Sequence, residues 1–118
     1  MGATVLIVDD SPQFRDAAAE LLAERGLEVL AAAADETAAL AAAAQARPDG
    51  ILLDINLRDE DGFAVAATLA AACPGARIVL TSANFSQLPP ELLRECTAVA
   101  FVPKEELAVA DLAGLFRP

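Results

Sequence analysis

The chain has 118 residues, 18 acidic against 8 basic side chains, a net charge of -10 and an isoelectric point near 4.2. This length and a hydrophobic content of 56% build one well-cored domain over 1–118 and exclude a disordered chain, while the negative field opposes nucleic-acid and membrane-surface binding. The absence of histidine excludes Ser-His-Asp and Cys-His catalysis and His-containing zinc sites, leaving carboxylate, hydroxyl and lysine chemistry.

The elements follow in chain order. Residues 4–8 form an apolar run without polar alternation, the pattern of a strand buried on both faces. Ser11 is a good N-cap, Pro12 suits the first helical position, and Phe14, Ala17, Ala18, Leu21, Leu22 and Arg25 fall at helical spacing until Gly26 stops the helix. Residues 27–30 include Glu28, so this second strand is expected at a sheet edge with one solvated position. A second helix runs from Asp35 to Arg47, where Pro48 ends it; its alanines give high propensity and a thin packing surface. Residues 50–53 and 76–80 are two more buried strands, separated by a helix over 63–72 and the Cys73-Pro74-Gly75 turn. Pro89-Pro90 opens a short fourth helix carrying Leu92, Leu93 and Cys96, and 99–102 is the fifth strand. A last helix is expected from Glu105, with Glu105 and Glu106 favouring its N-terminus and Leu112, Leu115 and Phe116 giving an apolar stripe.

Cys73 and Cys96 fit no metal or CxxC spacing and read as packing residues. No basic and apolar leader pattern opens the chain, and charge interrupts the alanine runs before the length of a membrane span, so a cytoplasmic protein is expected. Strand and helix alternate five times, which calls for a doubly wound α/β fold: a parallel sheet covered on both faces through right-handed crossovers.

In such sheets the functional crevice lies beyond the carboxyl ends of the strands. The first strand closes with Asp9-Asp10, the third with Asp54, the fourth with Thr81-Ser82, and the fifth with Lys104, the chain's one lysine. Each has an ordinary structural explanation on its own, as a helix cap, a strand end or a solvated charge; their coincidence is what points to a site. Three carboxylates in one crevice repel one another unless a cation compensates. All-oxygen ligation is the pattern of magnesium, and a carboxylate beside magnesium, an ammonium and a hydroxyl makes a phosphoryl-transfer site with Asp54 as nucleophile.

On these residues the chain resembles a response-regulator receiver domain of two-component signalling, of the chemotaxis-regulator type, from Val5 to about Phe116. The resemblance implies a flavodoxin-like (βα)5 fold with a five-stranded parallel sheet in the order 2-1-3-4-5. It implies Asp9 and Asp10 as the acidic pair at Mg2+, Asp54 as phospho-acceptor and metal ligand, and the Asn56 backbone carbonyl as the remaining protein ligand. Thr81 is then the switch hydroxyl, Phe101 the rotameric aromatic and Lys104 the phosphoryl contact, with Ser82 and Ala83 as secondary candidates. The implied partners are a histidine kinase or histidine phosphotransfer protein, and a downstream protein or effector domain. The latter, or a second copy in a homodimer, would dock on the face of the fourth helix, fifth strand and last helix, around Leu92, 98–101 and 109–115. Phosphoryl transfer to Asp54 would switch that face.

Three positions depart from the family pattern: Arg58 replaces a proline, Cys96-Thr97-Ala98 lacks a glycine, and Glu105 replaces the proline after Lys104, so that peptide is either trans or strained. These departures motivate an alternative, a receiver that no longer takes phosphate and acts as an interaction module. A magnesium-dependent phosphatase or phosphotransferase is the other alternative, for which the short loops offer little substrate pocket. As a receiver the chain is either a stand-alone protein or part of a longer regulator. Residues 1–62 hold 13 acidic and 4 basic groups, so the half bearing Asp9, Asp10 and Asp54 carries almost all the net charge. A kinase meeting it is expected to present a basic or neutral surface.

Overall fold

Residues 3–57, 60–83 and 98–117 are described by a computed structural model of the chain. Strands β1 (Thr4–Val8), β3 (Gly50–Asp54) and β4 (Arg77–Ser82) are apolar at nearly every position because both of their faces are covered. Their side chains alternate between two layers. Leu6, Val8, Ile51, Leu53, Ile78 and Leu80 enter one core with Ala39 and Ala43 of helix α2 (Glu36–Ala46) and Val65, Ala66 and Leu69 of α3 (Gly62–Ala72). Val5, Ile7, Leu52 and Val79 enter the other with Ala18 and Leu22 of α1 (Pro12–Glu24), together with Leu107, Leu112 and Phe116.

The sheet is five-stranded and parallel throughout, in the order β2-β1-β3-β4-β5, as the resemblance implies. Strand β2 (Glu28–Ala33) lies at the expected edge, with Glu28 exposed, and runs three residues past the expected stretch because Ala31, Ala32 and Ala33 pair with β1. Pairing there overrides the helix propensity of alanine. Strand β4 likewise extends to Ser82, and β5 (Ala100–Pro103) is shifted one residue toward Lys104.

Helix α1 starts as expected, with the Ser11 hydroxyl accepting from the Phe14 N–H at 3.2 Å, and Gly26 at φ 81° turns the chain into β2. The Asp35 and Asp61 side chains cap α2 and α3 in the same way.

The last helix corrects an expectation. It does not begin at Glu105: Lys104–Glu106 form a 3₁₀ turn, and the C-terminal helix covers only Leu112–Phe116, capped by Asp111, which accepts from the Gly114 N–H at 3.1 Å. The physical reason is anchoring of this segment by partners outside it. Arg25, at the end of α1, donates to the carbonyls of Ala108 and of Ala110, the latter at 2.8 Å. Those oxygens are thereby engaged by a guanidinium, and buried Leu107 plugs the second core between the two turns. Arg77 holds the far end by donating to the Leu115 carbonyl at 2.9 Å.

Cys73 caps α3 and packs against the first core as a free thiol, consistent with a packing role. The expected fourth helix with Leu92, Leu93 and Cys96, and the departures at Arg58, Cys96 and Thr97, lie outside the described residues. Among the described residues no helix is long and apolar enough to cross a membrane.

A methyl at Gly62 would stand 2.2 Å from the Ile55 Cα, whereas nothing lies within 4 Å of one at Gly75. Gly62→Ala is therefore expected to cost about 3 kcal/mol in urea unfolding, and Gly75→Ala to stay within about 0.5 kcal/mol.

Candidate functional site at the carboxyl ends of the strands

The strand order reverses between β1 and β3: the chain leaves β1 for the edge strand β2 and returns on the other side to form β3. Crossovers diverge at that point and leave a crevice above the strand ends. Register then decides what stands in it. Val8 pairs with Leu53 and Asp54 with Thr81, so Asp9, Asp54 and Thr81 form one row across three strands, and Val102 continues the row on β5. Lys104 follows two residues later.

The row is buried. Asp9, Thr81 and Ser82 are fully inaccessible and Asp54 is 4% exposed. Asp9 and Asp54 each have one oxygen fixed by the backbone: Asp9 Oδ1 accepts from the Ser11 N–H at 2.8 Å, and Asp54 Oδ1 from the Asn56 N–H at 2.9 Å. Their other oxygens converge on one ammonium, with Lys104 Nζ at 2.9 Å from Asp9 Oδ2 and 3.2 Å from Asp54 Oδ2. No cis peptide occurs among the described residues, so Lys104-Glu105 is trans, and the lysine reaches the carboxylates in that form.

Burial pushes the Asp54 carboxyl above its ordinary value of 3.8, and the neighbouring Asp9 charge adds to the rise; the Asn56 N–H and Lys104 oppose it without cancelling it. Burial alone would lower the Lys104 pKa, but the hydrogen bond to Asp9 and the charges of Asp54 and Asp9 outweigh it and hold the ammonium above the usual lysine value.

Asp9, Asp10 and Asp54 each present a carboxylate oxygen within 4.8 Å of the others. Three clustered hard oxygen donors, with no imidazole or thiolate among them, fit a hard divalent cation. Thr81 Oγ1 is buried without a hydrogen-bond partner, an uncommon state for a hydroxyl and one a bound anionic oxygen would relieve.

Five of the expected residues therefore come together: Asp9, Asp10, Asp54, Thr81 and Lys104. Asn56 stands beside them, with its amide on Asp54 and its exposed side chain donating to the Ser82 hydroxyl. Ser82 has the strand parity of Ile78 and Leu80, the opposite sheet face from Thr81, so its hydroxyl serves the Asn56 turn. Ala83 is exposed at the strand end. Phe101 is partly buried against the first core. Two contributors were not legible in the sequence. Phe14, read there only as one of the residues at helical spacing in α1, places its ring 4.1 Å from Lys104 Nζ. Glu60 accepts from the Glu36 N–H at 3.0 Å, tying the loop after β3 to the start of α2. Neither forms a local motif, because each partner is brought by a different crossover.

The family model described as "Response regulator receiver domain" matches residues 5–113. The chain is 43% identical over 79 residues, 66% of its length, to protein-glutamate methylesterase/protein-glutamine glutaminase 2 of Anaeromyxobacter dehalogenans, covering 23% of that protein. It is 33% identical to the protein of the same name from Archaeoglobus fulgidus over 94% of its own length and 32% of that protein. The chain thus spans about a quarter to a third of these curated relatives. Among solved structures, a response regulator from Burkholderia pseudomallei "with a phosphorylated aspartic acid, calcium ion and citrate" superposes with a TM-score of 0.84 at 26% identity, over 96% of this chain and 66% of that one.

Because the folded Asp54 binds its proton more tightly than the unfolded chain does, its ionisation detracts from stability as pH rises above the unfolded carboxyl range. Asp54→Asn keeps an acceptor for the Asn56 N–H and removes the charge. In metal-free buffer it is expected to raise the melting temperature at pH 7 by roughly 2–6 °C, with the gain vanishing toward pH 3, as followed by calorimetry.

Proposed function

The chain belongs to the response regulator receiver domain family, and from that premise we propose that it accepts a phosphoryl group on Asp54 from the phosphohistidine of a histidine kinase or histidine phosphotransfer protein. The observation that carries this reading is the convergence of Lys104 on Asp9 and Asp54 beside the unpartnered Thr81 hydroxyl. The ammonium and the hydroxyl give phosphoryl oxygens on Asp54 a counter-charge and a hydrogen-bond donor.

In this reaction an Asp54 carboxylate oxygen attacks phosphorus, the bond from phosphorus to the donor imidazole nitrogen breaks, and the imidazole leaves with that electron pair. The product is an acyl phosphate. Later attack of water at phosphorus returns the Asp54 carboxylate and inorganic phosphate. Lys104 neutralises the transferring oxygens, its ammonium being held charged by the two carboxylates. Thr81 donates its hydroxyl to a phosphoryl oxygen, which satisfies the group left without a partner. Asp9, Asp10, Asp54 and the Asn56 carbonyl are the groups that would hold Mg2+. When bound, the ion supplies charge neutralisation for the carboxylates and the phosphoryl oxygens. The phosphorylated aspartate and the cation named for the Burkholderia pseudomallei neighbour support the same assignment.

The readout is expected on the face of the fourth helix, β5 and the C-terminal segment. Its described part carries two exposed valines, Val99 at 44% and Val109 at 84%. Thr81 and Phe101 link the site to that face, and a downstream protein, an effector domain or a second copy would read it. The enzymatic activity named for the methylesterase relatives is not carried over, since the shared segment is a minor part of their length.

Incubation with magnesium and acetyl phosphate, followed by intact mass, is expected to give one phosphoryl adduct that Asp54→Ala abolishes. No adduct, or one that survives in the variant, overturns the assignment. Millimolar magnesium is also expected to raise the melting temperature by mass action, and Asp10→Asn to reduce that gain; equal gains in both proteins would move the metal elsewhere.

A further inference from the structure

Lys104 is the chain's only lysine, and its backbone does little to aim it. It opens a 3₁₀ turn closed by a long Leu107 N–H to Lys104 carbonyl contact of 3.3 Å. Among the described residues, the ammonium faces two carboxylate oxygens, at 2.9 and 3.2 Å, and the ring of Phe14, whose centroid lies 4.1 Å from Nζ. Phe14 sits in the first turn of α1, half-buried against the second core, on the sheet face that carries Asp9 and Asp54. Phe116 is wholly buried in that same core, while Phe63 and Phe101 pack against the other one.

We propose that Phe14 is a positioning residue for Lys104: its π face holds the ammonium over Asp9 and Asp54 while the charges there change. This rests on the phosphoryl-transfer reading above and deepens it. When Asp54 becomes an acyl phosphate it loses its carboxylate charge, and incoming phosphoryl oxygens compete with both carboxylates for the ammonium's three N–H donors. The carboxylates therefore hold the lysine strongly in one state and differently in the next. The ring quadrupole is the same in both states. It also walls one side of the ammonium with apolar surface, so Lys104 cannot turn outward to water without leaving a favourable contact.

The single lysine makes the contact directly observable. With lysine-selective isotope labelling, the ε-methylene protons of Lys104 are expected upfield of their ordinary position, shifted by the ring current, and back at that position in Phe14→Leu. With acetyl phosphate as donor, Asp54 phosphorylation is expected to slow roughly three- to tenfold in Phe14→Leu, and to stay within about twofold of wild type in Phe14→Tyr. Site-specific mono-, di- and trifluorophenylalanine at position 14 keep the ring's shape while draining its negative face. Rates are expected to fall stepwise along that series, which a purely structural ring would not produce, and the series stays informative if Phe14→Leu does not fold. An ordinary ε-proton shift in the wild-type protein, or a flat fluorination series, overturns the positioning role. If Lys104→Met slows phosphorylation while the fluorination series stays flat, only this inference fails; if wild-type protein forms no Asp54 adduct, the functional reading fails and this inference with it.

Discussion

Two carboxylates lie side by side at the carboxyl ends of β1 and β3, out of water, with one ammonium between them. Everything else at this end of the molecule is arranged around that unfavourable juxtaposition. Taking two anions into a low-dielectric site costs several kcal/mol each unless hydrogen bonds and a counter-charge repay it. The backbone supplies the hydrogen bonds, through Ser11 and Asn56, and Lys104 supplies the charge. Compensation is incomplete, since Asp54 still stands above its ordinary value. An incompletely compensated anionic cluster attracts cations as a neutral pocket does not, and the metal binding and phosphoryl chemistry proposed above rest on that residual imbalance.

The scaffold can hold such a site because its strands are stabilised elsewhere. The two apolar layers around β1, β3 and β4 are continuous up to the residue before the acidic row. One row of the sheet can then be polar while the rows beneath it are close-packed, and the strand ends are as fixed as the core. The described ends of the loop after β3 are tied down as well: Ile55 N–H donates to the Thr81 carbonyl at 3.0 Å, and Gly62 N–H to the Ile55 carbonyl at 3.2 Å. Gly62 has no side chain where the Ile55 backbone passes, so α3 can start directly against the turn that carries Asn56.

The C-terminal segment shows where local reasoning reaches its limit. Glu105 and Glu106 followed by apolar residues have the marks of a helix start, yet the chain turns through 3₁₀ geometry and begins its helix at Leu112. The deciding partner, Arg25, is more than eighty residues away in sequence. The same holds for the alanines of β2, which have strong intrinsic helix preference and become strand because β1 offers an unpaired edge. In both places a weak local preference, worth a fraction of a kcal/mol per residue, meets a nonlocal interaction of larger size.

Alternating apolar runs and helical spacings, read with their caps, were enough to specify a doubly wound sheet, since parallel strands buried on both faces need crossovers on both sides. The strand-end residues Asp9, Asp10, Asp54, Thr81 and Lys104 were legible for the same reason: in this topology a strand's carboxyl end is a fixed address. Three matters were decided only in three dimensions: what the Ser82 hydroxyl bonds, what holds Lys104, and where the last helix begins. Strand parity at the end of β4, a ring delivered by α1 and a guanidinium from that helix's far end settled them. A sequence states which residues alternate along an element, but contacts between elements depend on register and crossover geometry, which no local pattern encodes.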